Sequence, residues 1–102
     1  MYFTSPDVLT SSGLHWHDKY SVVWYGVADT SMVGKTLKEL DLYQRTGTTI
    51  AAVRRGDTQY PYPAPEFQLK DEDELYVIGT ALQLACFEEL FEPKRITVPS
   101  YE

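Results

Sequence analysis

Apolar and polar positions fall along this chain in short blocks, each with its own period. From Tyr20 to Ala28 (Y-S-V-V-W-Y-G-V-A) the residues are mostly β-branched or aromatic, which predicts a strand. Val22 and Trp24 would point one way, and Val23, Tyr25 and Val27 the other. Both sides are apolar, so one is expected against the domain's own helices and the other against a second subunit. Asp29-Thr30-Ser31 is a turn cluster, and Gly34 precedes a helix predicted over Lys35 to Leu42. Leu37 and Leu40 form its buried stripe, while Lys35, Lys38, Glu39 and Asp41 face solvent. Gly47 is expected just beyond the helix in a left-handed conformation.

The second strand is predicted over Thr48 to Arg54, with its apolar centre at Ile50-Ala51-Ala52-Val53. Gly56-Asp57 reads as a turn, and Tyr60-Pro61-Tyr62-Pro63-Ala64-Pro65 as a rigid connector between strands. Its spacing also matches a polyproline ligand. Phe67 and Leu69 predict a short third strand, and the acidic run Asp71 to Glu74 a solvated turn. Leu75 to Ile78 is the last strand, closed by Gly79. Thr80 is placed to cap a final helix over Ala81 to Phe91. Leu84, Phe87 and Phe91 form one apolar row on it; Leu82, Cys86 and Leu90 form a second. Cys86 is therefore expected as a buried, unreactive filler between Leu82 and Leu90. Pro93 stops the helix, and the tail carries an extended piece at Ile96 to Val98.

That order is β-α-β-β-β-α, an α+β sandwich of a mixed or antiparallel sheet with helices on one face. One domain is expected over residues 20–92, after a lead-in at 1–19 and before a tail at 93–102. The length of 102 residues suits a single domain, and an apolar fraction of 43% suffices for a packed core. Two doubly apolar elements in so short a chain predict a homodimer.

A formal charge of −6 argues against a nucleic-acid partner. A single cysteine fits a reducing compartment. No run is apolar enough to insert into a membrane, and the N-terminus lacks the features of a signal peptide. A cytoplasmic protein is the expectation. His15 and His17 share one side of an extended segment, yet only Asp18 stands near them as a third metal ligand, so a surface role is expected. Cys86 and the two histidines have no motif linking them into a catalytic pair, so an enzyme is not expected.

From Val33 to Phe91 the chain resembles the TrkA C-terminal family, also called the RCK_C domain. The resemblance lies in M-V-G-K-T-L-K-E-L-D-L, I-A-A-V-R-R-G-D, the Pro-containing loop, L-K-D-E-D-E-L-Y-V-I-G and T-A-L-Q-L. It implies a cytoplasmic regulatory domain attached to, or partnered with, a membrane potassium or other cation channel, transporter or cation/proton antiporter. Such domains dimerise, and in some members the dimer groove binds a small effector, notably cyclic di-AMP. The resemblance places the contacts on the first helix and the start of the following strand, at Leu37, Lys38, Tyr43 and Thr49. Tyr43 and Thr49 stand where the cyclic di-AMP binders tend to carry Arg and Asn. Arg54 and Arg55 are the nearest candidates to balance an anion. A structural dimerisation module without an effector is the alternative.

Overall fold

The computed structural model describes residues 19–96. Five strands form one sheet: β1 (Tyr20–Gly26), β2 (Thr49–Arg55), β3 (Thr58–Pro61), β4 (Glu74–Thr80) and β5 (Lys94–Ile96). Three helices accompany them: α1 (Leu37–Leu40), α2 (Leu42–Thr46) and α3 (Ala81–Phe91). The sheet order is β3-β2-β4-β1-β5, and every neighbouring pair is antiparallel. The α+β sandwich expected from the sequence is present, in its wholly antiparallel form.

The strand alternation sorts the sheet into two faces. Tyr25, Val53, Leu75 and Val77 are buried against Leu84, Phe87 and Phe91 of α3 and Leu40 and Leu42 of α1 and α2. Tyr25 meets Phe87 edge-on, with ring centroids 5.0 Å apart. On the opposite face Trp24 stacks on Tyr76 at 4.5 Å, opposite it in register. Val22, on the same face, is exposed.

Four local expectations are corrected. The helix expected over Lys35 to Leu42 is two short helices, beginning at Leu37 and ending at Thr46. Thr36 caps α1 with a capping box, its hydroxyl accepting from Glu39 N–H while the Glu39 carboxylate accepts from Thr36 N–H. Asp41, left-handed at φ 49°, breaks the spiral before α2, which then runs to Thr46 and ends at Gly47 with φ 81°.

The third strand is β3, not Phe67–Leu69. Gly56, at φ 62°, makes the tight turn that folds β3 back on β2. Thr58-Gln59-Tyr60-Pro61 lacks apolar alternation because β3 is an edge, where a proline is tolerated. Gln68 instead makes an isolated bridge with Thr36.

The acidic run is not wholly solvated. Asp73 is 1% exposed and folds back to accept the Lys70 N–H at 2.8 Å. Finally, the row Leu82, Cys86 and Leu90 faces outward: Leu82 is 84% and Leu90 47% exposed, and Cys86 is half-buried. The helix has a single sheet face to cover, and the row of Leu84, Phe87 and Phe91 covers it. Cys86 Sγ lies 3.8 Å from the Arg45 carbonyl oxygen.

The sheet also continues past the boundary expected at residue 92, since β5 pairs with β1 from Gly26↔Lys94 to Trp24↔Ile96. His15, His17 and the end of the Ile96–Val98 piece lie outside the described residues. No helix among the described residues is long and apolar enough to cross a membrane.

Candidate functional site

The capping box, the Asp41 break and the β2 start together shape a groove beside the helices. It has a volume of about 450 Å³ and is lined by Leu37, Lys38 and Asp41 of the α1 region and Leu42 and Tyr43 of α2. Thr48, Thr49 and Ile50 form the wall toward the sheet, and Pro63 and Pro65 the opposite rim.

Backbone contacts hold this rim in place. Lys38 N–H donates to the Pro65 carbonyl at 2.8 Å and Leu37 N–H to the Phe67 carbonyl at 3.0 Å. Tyr62 N–H donates to the Ala51 carbonyl at 2.8 Å, at the point where β2 bulges between Ile50 and Ala52. The proline run thus serves as a wall of the groove as well as a connector. Proline suits that position because it asks for no hydrogen bond and its φ is already fixed.

Below the groove the polar groups satisfy one another. The Thr46 hydroxyl donates to the Leu42 carbonyl at 2.8 Å, and the Thr48 hydroxyl lies 2.6 Å from it. Thr48 is fully buried, whereas Thr49, the next residue, is exposed on the groove wall. Tyr43 is 68% exposed at the mouth.

Four of the six residues expected at a site therefore meet around one groove: Leu37, Lys38, Tyr43 and Thr49. Arg54 and Arg55 do not line it. Arg54 donates its Nε to Glu74 Oε1 at 2.7 Å, pairs with the same carboxylate through Nη2, and lies over the Trp24 ring at 4.3 Å. Arg55 grips Asp73 with two hydrogen bonds, Nε–Oδ1 at 2.7 Å and Nη2–Oδ2 at 2.8 Å. It also donates to the Gln68 carbonyl at 3.0 Å and lies over Phe67 at 4.9 Å. The hydrogen bond to Asp73 raises the Arg55 pKa above the usual arginine value. Both guanidinium groups are committed to structural carboxylates.

Sequence reasoning missed Asp41, Leu42, Thr48, Ile50, Pro63 and Pro65 as groove residues. The proline run, some twenty residues on from the helix signal, gave no sign of this, since its contact with α1 depends on the Lys38 N–H to Pro65 carbonyl bond.

Elsewhere, Tyr25 donates from its phenol to Glu88 Oε2 at 2.5 Å, and Arg95 of β5 donates to the same oxygen at 2.7 Å. Burial, reinforced by the Glu88 carboxylate, pushes the Tyr25 pKa up to about 12. The hydrogen bonds from Tyr25 and Arg95 hold the Glu88 carboxyl below its usual range. Among the described residues no cluster of His, Cys, Asp and Glu has the size of a metal site.

Comparison with known proteins places this arrangement. The family model "TrkA-C domain" matches residues 22–92. A probable potassium channel protein of Methanocaldococcus jannaschii is 36% identical over 67 residues, covering 66% of this chain and 20% of that one. The chain thus spans about a fifth of that relative's length. Among solved structures, the RCK C domain of the potassium transport protein KtrA in complex with cyclic di-AMP is 29% identical with a TM-score of 0.66. That match covers 71% of this chain and 84% of the solved one. The GsuK channel bound to NAD is 31% identical with a TM-score of 0.67, covering 74% of this chain and 13% of the channel.

Proposed function

Because this chain belongs to the TrkA-C domain family, we propose that it is the ligand-sensing regulatory part of a potassium channel, transporter or cation/proton antiporter. It works in the cytoplasm, at the inner face of the membrane, as a symmetric homodimer. The regulatory unit spans residues 20–92 together with the β5 strand that completes its sheet.

The observation that carries this reading is the groove. It gathers Leu37, Lys38, Tyr43 and Thr49 from two helices and a strand start into one concave surface. Apolar walls with a few polar groups are the usual make-up of a small-molecule site. Nothing in that lining pairs a nucleophile with a base, so the chemistry supported is binding and not catalysis. The homodimer is supported by two apolar surfaces that the fold leaves open. One is the outer row of α3 with Leu82 and Leu90, and the other is the sheet face around Val22 and Trp24. The cyclic di-AMP bound by the KtrA domain supports a nucleotide as the effector.

A second reading, a dimerisation module without an effector, is favoured by one observation: both arginines that could balance a bound phosphate are held by carboxylates. Calorimetry with cyclic di-AMP on the wild type and on Tyr43→Ala separates the two. The effector reading expects binding that falls about tenfold or more when Tyr43 is removed, the loss of a stacking contact of roughly 1–3 kcal/mol. Equal binding by both proteins places the site elsewhere. Absence of binding by cyclic di-AMP and by other nucleotides leaves the structural module. Light scattering at micromolar concentration tests assembly, and a clean monomer mass contradicts the dimer.

A further inference from the structure

We infer that the groove recognises the ring system of its ligand and gains little from phosphates, so that a purine nucleoside binds about as well as its monophosphate. This rests on the effector reading above and specifies the ligand class of that same site.

The first observation concerns backbone donors. A helix N-terminus binds phosphate by offering free N–H groups and a positive dipole end. At the start of α1 those groups are occupied: Leu37 N–H by the Phe67 carbonyl, Lys38 N–H by the Pro65 carbonyl, and Glu39 N–H by the Thr36 hydroxyl. The Glu39 carboxylate, accepting from Thr36 N–H at 2.8 Å, adds a negative charge at the same end. That bond also lowers the Glu39 pKa, so the charge persists at neutral pH.

The second observation concerns side-chain charge. Among the described residues lining the groove, Lys38 carries the one positive charge and Asp41 the one negative charge, so the lining sums to zero. Asp41 makes no capping hydrogen bond with its side chain. A two-fold partner bringing the same residues doubles both charges and leaves the balance unchanged. Specific phosphate recognition relies on forked, charge-assisted contacts from arginine. Here Arg54 and Arg55 are turned to Glu74 and Asp73 instead.

The third observation is what the groove does offer. Leu37, Ile50, Pro63 and Pro65 give apolar walls, and the exposed Tyr43 ring stands at the mouth. Flat apolar surfaces of this kind hold an aromatic heterocycle by stacking and burial, contacts that carry no charge for salt to screen. Phosphate contacts, in contrast, weaken steeply with salt.

The test is calorimetry on the whole chain with adenosine, AMP and cyclic di-AMP, at about 50 mM and about 500 mM salt, a range over which phosphate-driven binding falls steeply. Adenosine and AMP are expected to bind within about threefold of each other and to change less than about threefold across the salt range, as contacts that leave no charge to be screened do. Tyr43→Ala is expected to weaken adenosine about tenfold or more, and an unchanged affinity in that variant overturns the inference. AMP binding more than about tenfold tighter than adenosine, with the advantage lost at high salt, overturns the inference while the effector reading stands. Binding of cyclic di-AMP without any binding of adenosine has the same meaning. If none of the three binds, the inference and the effector reading fall together.

Discussion

Strand β2 serves two regions of opposite character. Its first residues, Thr49 and Ile50, line an open groove whose polar groups are exposed or satisfied by near neighbours. Its last residue, Arg55, reaches a fully buried carboxylate, with the Asp73 side chain at 0% exposure. By residue type the arginine looks functional and Leu37, Ile50 and Pro63 look like packing. The geometry commits the arginine to a structural pair, because a charge brought into the interior of so small a domain must be matched. A groove open to solvent has no such requirement, so its residues are free to serve a ligand.

The sharpest way to break that comparison is Asp73→Ala. It leaves the Arg55 guanidinium without its carboxylate and frees the Lys70 N–H, at a cost of about 3 kcal/mol, the low end for a buried pair because the Arg55 side chain keeps 20% of its exposure. Urea unfolding should show the loss as a shifted midpoint. A change under about 1 kcal/mol, the worth of an exposed pair, would mean that Asp73 is a surface acid after all.

The next effect is a pH dependence at the third charged cluster, Tyr25 with Glu88 and Arg95. Tyr25 has a folded-state pKa of about 12 against an ordinary value of 10.0. A raised pKa contributes stability that is present below pH 10 and lost as pH climbs toward 12, by roughly 2 kcal/mol. The Glu88 carboxyl is shifted downward, so its contribution is present above the ordinary glutamate value of 4.5 and fades as pH falls below it. Thermal melts across the alkaline range should show the loss in wild type. Tyr25→Phe should lose that alkaline step, and an identical alkaline profile in this variant contradicts the assignment.

The smallest expected effect is on the groove side. Tyr43→Ala should change stability by less than about 0.5 kcal/mol, as exposed substitutions usually do. A large loss would make Tyr43 a packing residue and narrow the contrast between the two regions.

Much of the fold was legible because it rests on period and punctuation. The alternation of Val22 to Val27 separated the two sheet faces, Thr80 marked the start of α3, and Gly47 the end of α2. What could not be read depends on contacts remote in sequence. β3 has no apolar rhythm, since an edge strand is defined by its single neighbour. Asp73 looks like its acidic neighbours until Arg55, far off along the chain, is placed over it. The outer row of α3 looked buried because periodicity reveals how many rows a helix has, not how many surfaces there are to cover them. For the groove, the family resemblance over the first helix and the start of the following strand led to Leu37, Lys38, Tyr43 and Thr49. The proline wall came into view only with the hydrogen bonds from Lys38 and Tyr62.

The most direct test of the groove as the ligand site is an amide-shift titration of isotope-labelled protein with adenosine. The account predicts perturbations clustered at Leu37, Lys38, Tyr43, Thr49 and Ile50, with Arg55 and Asp73 unmoved. A cluster at Arg54, Arg55 and Asp73, with the groove silent, would contradict it.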